Sequence, residues 1–222
     1  MLLSTWYIPF AFLLFLSSPI FIKFIEMKKY HKTLMFVMLL LGSIVHRPAH
    51  DFTVNVFQAL IYFSPVYCLG IYISMEKDSF FEKFENKSYI FGLITLGILA
   101  FQIYTGKFIN SHKSILIYKG IDVVIFQKFF MCLYLVLFFN KYEKYFNKVC
   151  KKIFETLAEY SFPIFFLHNY IIQFLYPAIG FEKESGYIGL ILLTILTLFL
   201  SIVFAYIVKK IFKKNSRYLI GG

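Results

Sequence analysis

Seven long apolar runs, separated by lysine-rich loops, leave this chain few ways to fold. The runs are Trp6–Ile25, Thr33–Val45, Phe52–Ser74, Tyr89–Tyr104, Ile121–Phe139, Ile153–Ile179 and Tyr187–Val208. A bilayer core of about 30 Å takes about 20 helical residues to cross. Backbone groups at that depth must be satisfied within the segment, which selects helices. The second and fourth runs are the shortest and the least secure as crossings. Trp6–Ile25 has no basic stretch ahead of it and no small-residue cleavage site behind, so it reads as a span and not a signal peptide. Only 16% of the 222 residues are charged, against 59% hydrophobic and 22% aromatic, whereas a soluble domain carries about 25% charged residues. The expected fold is all-α, a polytopic transmembrane helix bundle of about seven spans forming a single domain over residues 1–222.

The formal net charge of +11 would suit nucleic acid, but the placement of the charge argues against that partner. With the carboxyl tail set in the cytoplasm, the inner segments hold Lys23, Lys28, Lys29 and Lys32, then Lys77, Lys83 and Lys87. They go on to hold Lys141, Lys144, Lys148, Lys151 and Lys152, and finally Lys209, Lys210, Lys213, Lys214 and Arg217. That places 17 of the 23 basic residues inside and five outside, with Lys128 within a run. Such asymmetry is the positive-inside signature of an inner-membrane protein, and the same lysines attract anionic lipid headgroups. Membrane lipid is the expected partner and nucleic acid is not. The orientation puts Met1 outside, about five residues before the first run, so the chain is expected to be the later part of a longer protein.

Chemistry-bearing residues are few. Glu159–Tyr170 places Ser161 and His168 two helical turns apart, on nearly one face. Pro163 lies between them, lacks an N–H and favours a kink. Polar groups at membrane depth usually face a bundle interior or a cavity. His168 has two readings, a packed histidine bonded within the bundle or a base in proton transfer. Ser161 reads as a helix hydroxyl bonded to its own backbone or, with no Gly-x-Ser-x-Gly elbow around it, as a substrate contact. A second cluster, His46-Arg47-Pro48-Ala49-His50-Asp51, holds one of two arginines in the chain. Arg47, with His50, could bind a carboxylate or phosphate as a planar fork, or simply sit in a solvated loop. Asp122 is expected to reach the interface, and the deeper Lys128 to pair with an acidic group. Cys68, Cys132 and Cys150 have no paired spacing and read as small hydrophobes. No metal site is expected.

Four stretches resemble one family. Tyr160-Ser161-Phe162-Pro163-Ile164-Phe165-Phe166-Leu167-His168 is similar to the Ser-Phe-x-Ile-Tyr-Leu-x-His signature late in the membrane acyltransferase 3 family. Thr5-Trp6-Tyr7-Ile8-Pro9 with Ser18-Pro19 resembles its Leu-Trp-Phe-Leu-Pro span, which ends in a proline. Tyr62-Phe63-Ser64-Pro65-Val66-Tyr67-Cys68-Leu69-Gly70 resembles its Tyr-Phe-x-x-Phe-x-Leu-Gly segment, and the last span runs into the basic tail Ser216–Gly221. The resemblance implies an O-acetylase of the O-antigen or exopolysaccharide type. Such an enzyme takes an acyl group from acyl-CoA, here acetyl-CoA, and places it on a hydroxyl of a cell-envelope saccharide or a lipid-linked acceptor. It also implies about ten helices, with an Arg…His catalytic pattern on the first. No position here matches that pattern, so this chain is expected to correspond to the carboxyl-terminal portion and to be inactive alone if the first helices are missing. Two other classes fit the residues. One is a polysaccharide or lipid-linked sugar transporter with polar groups at helix breaks, though no inverted repeat is evident; the other is a non-catalytic membrane subunit.

Overall fold

A computed structural model describes residues 7–48, 55–106, 112–113, 120–178 and 186–213. The described residues form nine α-helices: α1 (Tyr7–Glu26), α2 (His31–Val45), α3 (Val56–Met75), α4 (Lys77–Phe84), α5 (Ser88–Thr105), α6 (Val123–Tyr142), α7 (Lys148–Glu159), α8 (Ser161–Ala178) and α9 (Gly186–Phe212). Two short strands, β1 (Arg47–Pro48) and β2 (His112–Lys113), pair in parallel with Arg47 opposite His112 and Pro48 opposite Lys113. Among the described residues, five helical segments are long and apolar enough to cross a membrane; the apolar helices His31–Val45 and Ser161–Leu175 are shorter. This is the all-α, membrane-type bundle expected from the seven runs.

The chain divides into two compact units, Thr5–Tyr145 and Phe146–Gly222. In the first unit α1 and α2 pack on α3, α5 packs on α6, and α6 also meets α2 and α3. Glycines set two of these approaches. A Cβ at Gly42 would lie 2.6 Å from Ile125 Cδ1, and one at Gly92 would lie 3.1 Å from the Tyr134 ring, so α2 and α5 can each lie close against α6. Side-chain caps start α3 and α6: Asn55 accepts from Gln58 N–H and Asp122 from Val124 N–H, satisfying donors that a helix start leaves open. Pro65 inside α3 frees the Ile61 carbonyl, and the neighbouring Ser64 hydroxyl donates to that carbonyl at 3.0 Å. That restores the missing partner, as a membrane helix requires.

In the second unit α8 packs along α9. Leu193, Thr197, Ser201 and Ala205 recur every fourth residue on α9 and are all buried, the small-residue stripe that lets two membrane helices approach closely. The run expected over Ile153–Ile179 is not one kinked span. It breaks at Tyr160 into α7 and α8, and Pro163 falls in the first turn of α8, where an absent N–H costs nothing. The physical reason lies in α7 itself: Lys148, Lys151, Lys152, Glu155 and Glu159 gather on one face and Val149, Ile153, Phe154 and Leu157 on the other. Such a two-faced segment gains nothing by entering hydrocarbon. The expected inner loops are also partly helical, as α4 and α7 occupy them. Cys68 is buried and Cys132 half-buried, and both are free thiols in apolar helices.

Candidate functional site

The most concentrated set of buried polar side chains lies at one end of the first unit, where α2 ends, α3 and α6 begin, and β1 meets β2. His46, Gln58, Lys113 and Asp122 are each at most 4% exposed, although three of these residue types are rarely buried unless partnered. The partners come from distant segments. The Gln58 amide donates to the carbonyls of Val45 at 3.1 Å, His46 at 3.4 Å and Lys113 at 3.0 Å. Asp122 accepts from Tyr62 Oη–H at 3.1 Å through one oxygen and from Val124 N–H at 3.0 Å through the other. Its own N–H donates to the Ser43 carbonyl at 2.8 Å. Asp122 is therefore a buried helix cap, and the expectation that it reaches the interface is corrected: its two oxygens are taken up by the tyrosine and the helix start.

His46 closes the cluster from α2. Its Nε2 lies 2.8 Å from the Gly120 carbonyl, and because a carbonyl only accepts, the proton must sit on Nε2. Its backbone holds a φ of 61° with ψ near extended, a region that non-glycine residues occupy at a cost of order 1–3 kcal/mol. The Gly42 carbonyl bond to His46 N–H and the ring bond to Gly120 hold it there.

Arg47 follows directly. It is half-buried, its guanidinium lies 5.9 Å from the Phe63 ring centroid, and its charge acts on Tyr62 and Lys128. Asp122 also interacts with both of these residues. Arg47 is consequently part of a packed junction and not a residue of a solvated loop. Lys113, expected in an outer loop, is buried beside it. His50 lies outside the described residues.

His168 and Ser161 belong to the second unit. Ser161 is exposed and its hydroxyl donates to the Ala158 carbonyl at 2.8 Å, the backbone-bonded state read from the sequence. His168 is half-buried, and its Nδ1 lies 3.1 Å from the Ile164 carbonyl one turn back. The acceptor again fixes the proton, here on Nδ1, so the neutral ring offers the Nε2 lone pair. That is the tautomer a general base needs. Seven residues separate the two side chains by about 10 Å along the axis; His168 is bonded within α8 and Ser161 to the last turn of α7.

Sequence reasoning missed Gln58, His46 and Lys113 as members of the polar junction. An amide three residues past Asn55, at the head of an apolar run, was the available signal. Two of the four stretches that carried the family resemblance meet in the first unit: Ser18 Oγ and Tyr67 Oη lie 2.7 Å apart across α1 and α3.

No curated protein and no solved structure matches the chain. The profile of the acyltransferase 3 family, described as an acyltransferase domain, matches residues 2–210. Nearly the whole chain is covered, so this protein belongs to the acyltransferase 3 family of membrane acyltransferases.

Proposed function

We propose that the chain takes part in O-acylation at a bacterial inner membrane, with its carboxyl tail in the cytoplasm, moving an acetyl group from acetyl-CoA to a hydroxyl of a cell-envelope saccharide or its lipid-linked precursor. The observation that carries the reading is the Nδ1 proton of His168 held on the Ile164 carbonyl. With that proton fixed, Nε2 can take the proton of an acceptor hydroxyl as its oxygen attacks the thioester carbonyl, and return it to the departing thiolate of CoA. The product is an ester and free CoA. Base catalysis of this kind contributes about 10²–10⁴-fold. In the other unit, Arg47 offers a fork for a phosphate or carboxylate on a substrate, with His50 as a candidate neighbour. Ser161 is a candidate polar contact for a substrate near the start of α8. No metal enters this chemistry.

The test is labelling with radioactive acetyl-CoA in membranes from cells producing the full chain and from cells carrying an empty vector. Alkali-labile label on saccharide or lipid-linked sugar, present only with the chain, supports transfer. Sugar flux into proteoliposomes without label would replace it with the transporter reading. Neither label nor flux would leave a non-catalytic subunit.

A further inference from the structure

Among the described residues, α7 is the helix least explained by the bundle. Its twelve residues would span about 18 Å as a helix, too little to cross a bilayer. Its charged residues and its apolar residues occupy opposite faces, and Val149, Ile153 and Phe154 are exposed. Asn147 caps its start by accepting from Cys150 N–H at 2.8 Å. Its last residue, Glu159, is fixed to α9 by Lys209 Nζ at 3.0 Å, and Lys209 also lies 4.5 Å from the Tyr160 ring centroid. The helix is therefore anchored at its end while Val149 and Ile153 on its apolar face stay exposed.

That face is not a flat surface. A groove of about 490 Å3 runs along one flank of α7 toward α9, with Val149, Ile153 and Leu157 on one wall and Ile202 on the other. Lys148 and Lys152, one turn apart, stand along its charged edge. Glu155 and Glu159 share the polar face of α7 but do not line the groove. Two ammonium groups at the edge of an apolar trough are complementary to a single amphiphile: an anionic phosphate above a hydrocarbon chain. The 17-to-five distribution of basic residues places this edge at the inner leaflet, where anionic phospholipids supply that chemistry.

We propose that the α7 groove is a binding site for an anionic phospholipid, with its phosphate on Lys148 and Lys152 and one acyl chain along Val149, Ile153, Leu157 and Ile202. The occupant orders the apolar face of α7 at the membrane surface, independently of any acyl transfer.

The test uses the full chain with Trp6, its single tryptophan, changed to phenylalanine and Ile153→Trp as the reporter. Quenching by brominated phosphatidylglycerol is compared with quenching by brominated phosphatidylcholine in mixed bilayers. Phosphatidylglycerol should bind at the reporter at least about fivefold more tightly, since each lysine near an anionic surface contributes on the order of a fivefold preference. Lys148→Gln with Lys152→Gln should abolish the preference. Lys151→Gln with Lys210→Gln, the same loss of charge at residues that do not line the groove, should leave it. Equal quenching by both lipids in the parent protein would overturn the site. Equal loss in both double variants would also overturn it, leaving diffuse surface attraction. Displacement of the lipid by micromolar long-chain acyl-CoA would reassign the groove to a thioester donor.

Discussion

Two sets of polar groups, those of the junction in the first unit and those along α8 and α9, are satisfied in opposite ways. In the junction they reach across the sequence: His46 to Gly120, Gln58 to Lys113, Tyr62 to Asp122, and Asp122 to Ser43. Along α8 and α9 they turn back on backbone within one turn: Ser161 to Ala158, His168 to Ile164, Thr194 to Leu190 and Ser201 to Thr197. A cross-linking group holds several elements at once, and its loss strands buried partners. A back-bonded group can be removed with little effect on the fold, which leaves its remaining atoms available for chemistry. The junction in the first unit is thus structural and electrostatic in the same residues, whereas His168 can be tested as chemistry alone.

Substitutions at Asp122 should break this contrast most sharply if it is wrong. Asp122→Ala removes the acceptor of the Tyr62 hydroxyl and of the Val124 N–H and a carboxylate that acts on Lys128. Loss of about 3–5 kcal/mol is expected, as for other buried charges deprived of a partner, and should read as a large drop in detergent melting temperature. Gln58→Ala should cost about 1–3 kcal/mol, because buried carbonyls of Val45, His46 and Lys113 lose a shared donor. Gly42→Ala sharpens the packing side: a methyl 2.6 Å from Ile125 Cδ1 makes that fully buried side chain give way, at about 1–3 kcal/mol. Glu159→Gln removes an ion pair between exposed groups and should cost under about 1 kcal/mol, an effect that fades as salt is raised. Ser161→Ala should fall within about 0.5 kcal/mol of the parent, since an exposed back-bonded hydroxyl is all that is lost.

Much of this architecture was legible because hydrocarbon thickness sets helix length. The helices α1, α2, α3, α5, α6 and α9 fall on the apolar runs within a few residues. The break at Tyr160 was hidden because Ile153, Phe154 and Leu157 prolong the hydropathy of α8 backwards, although the spacing of Lys148, Lys152, Glu155 and Glu159 marks an amphipathic helix. Arg47 stood out by its rarity, and it lies half-buried in β1. Its burial was not readable, since that depends on a strand pairing with residues 112–113 and on Asp122, far along the chain. Non-local pairing of that kind leaves no periodic trace. His168 was visible as a lone ionisable group in an apolar run, but its tautomer needed the Ile164 carbonyl.

The most direct measurement is acetyl-CoA-dependent labelling by the His168→Ala variant beside its detergent melting temperature, in the parent background that shows labelling. Transfer should fall by about 10²-fold or more, with the melting temperature held within about 2 °C because the bond to Ile164 and the ring contact with Phe165 that are lost both lie within α8. Retained labelling would contradict the role of Nε2, and a melting temperature falling in step with activity would make His168 a structural link like those of the first unit.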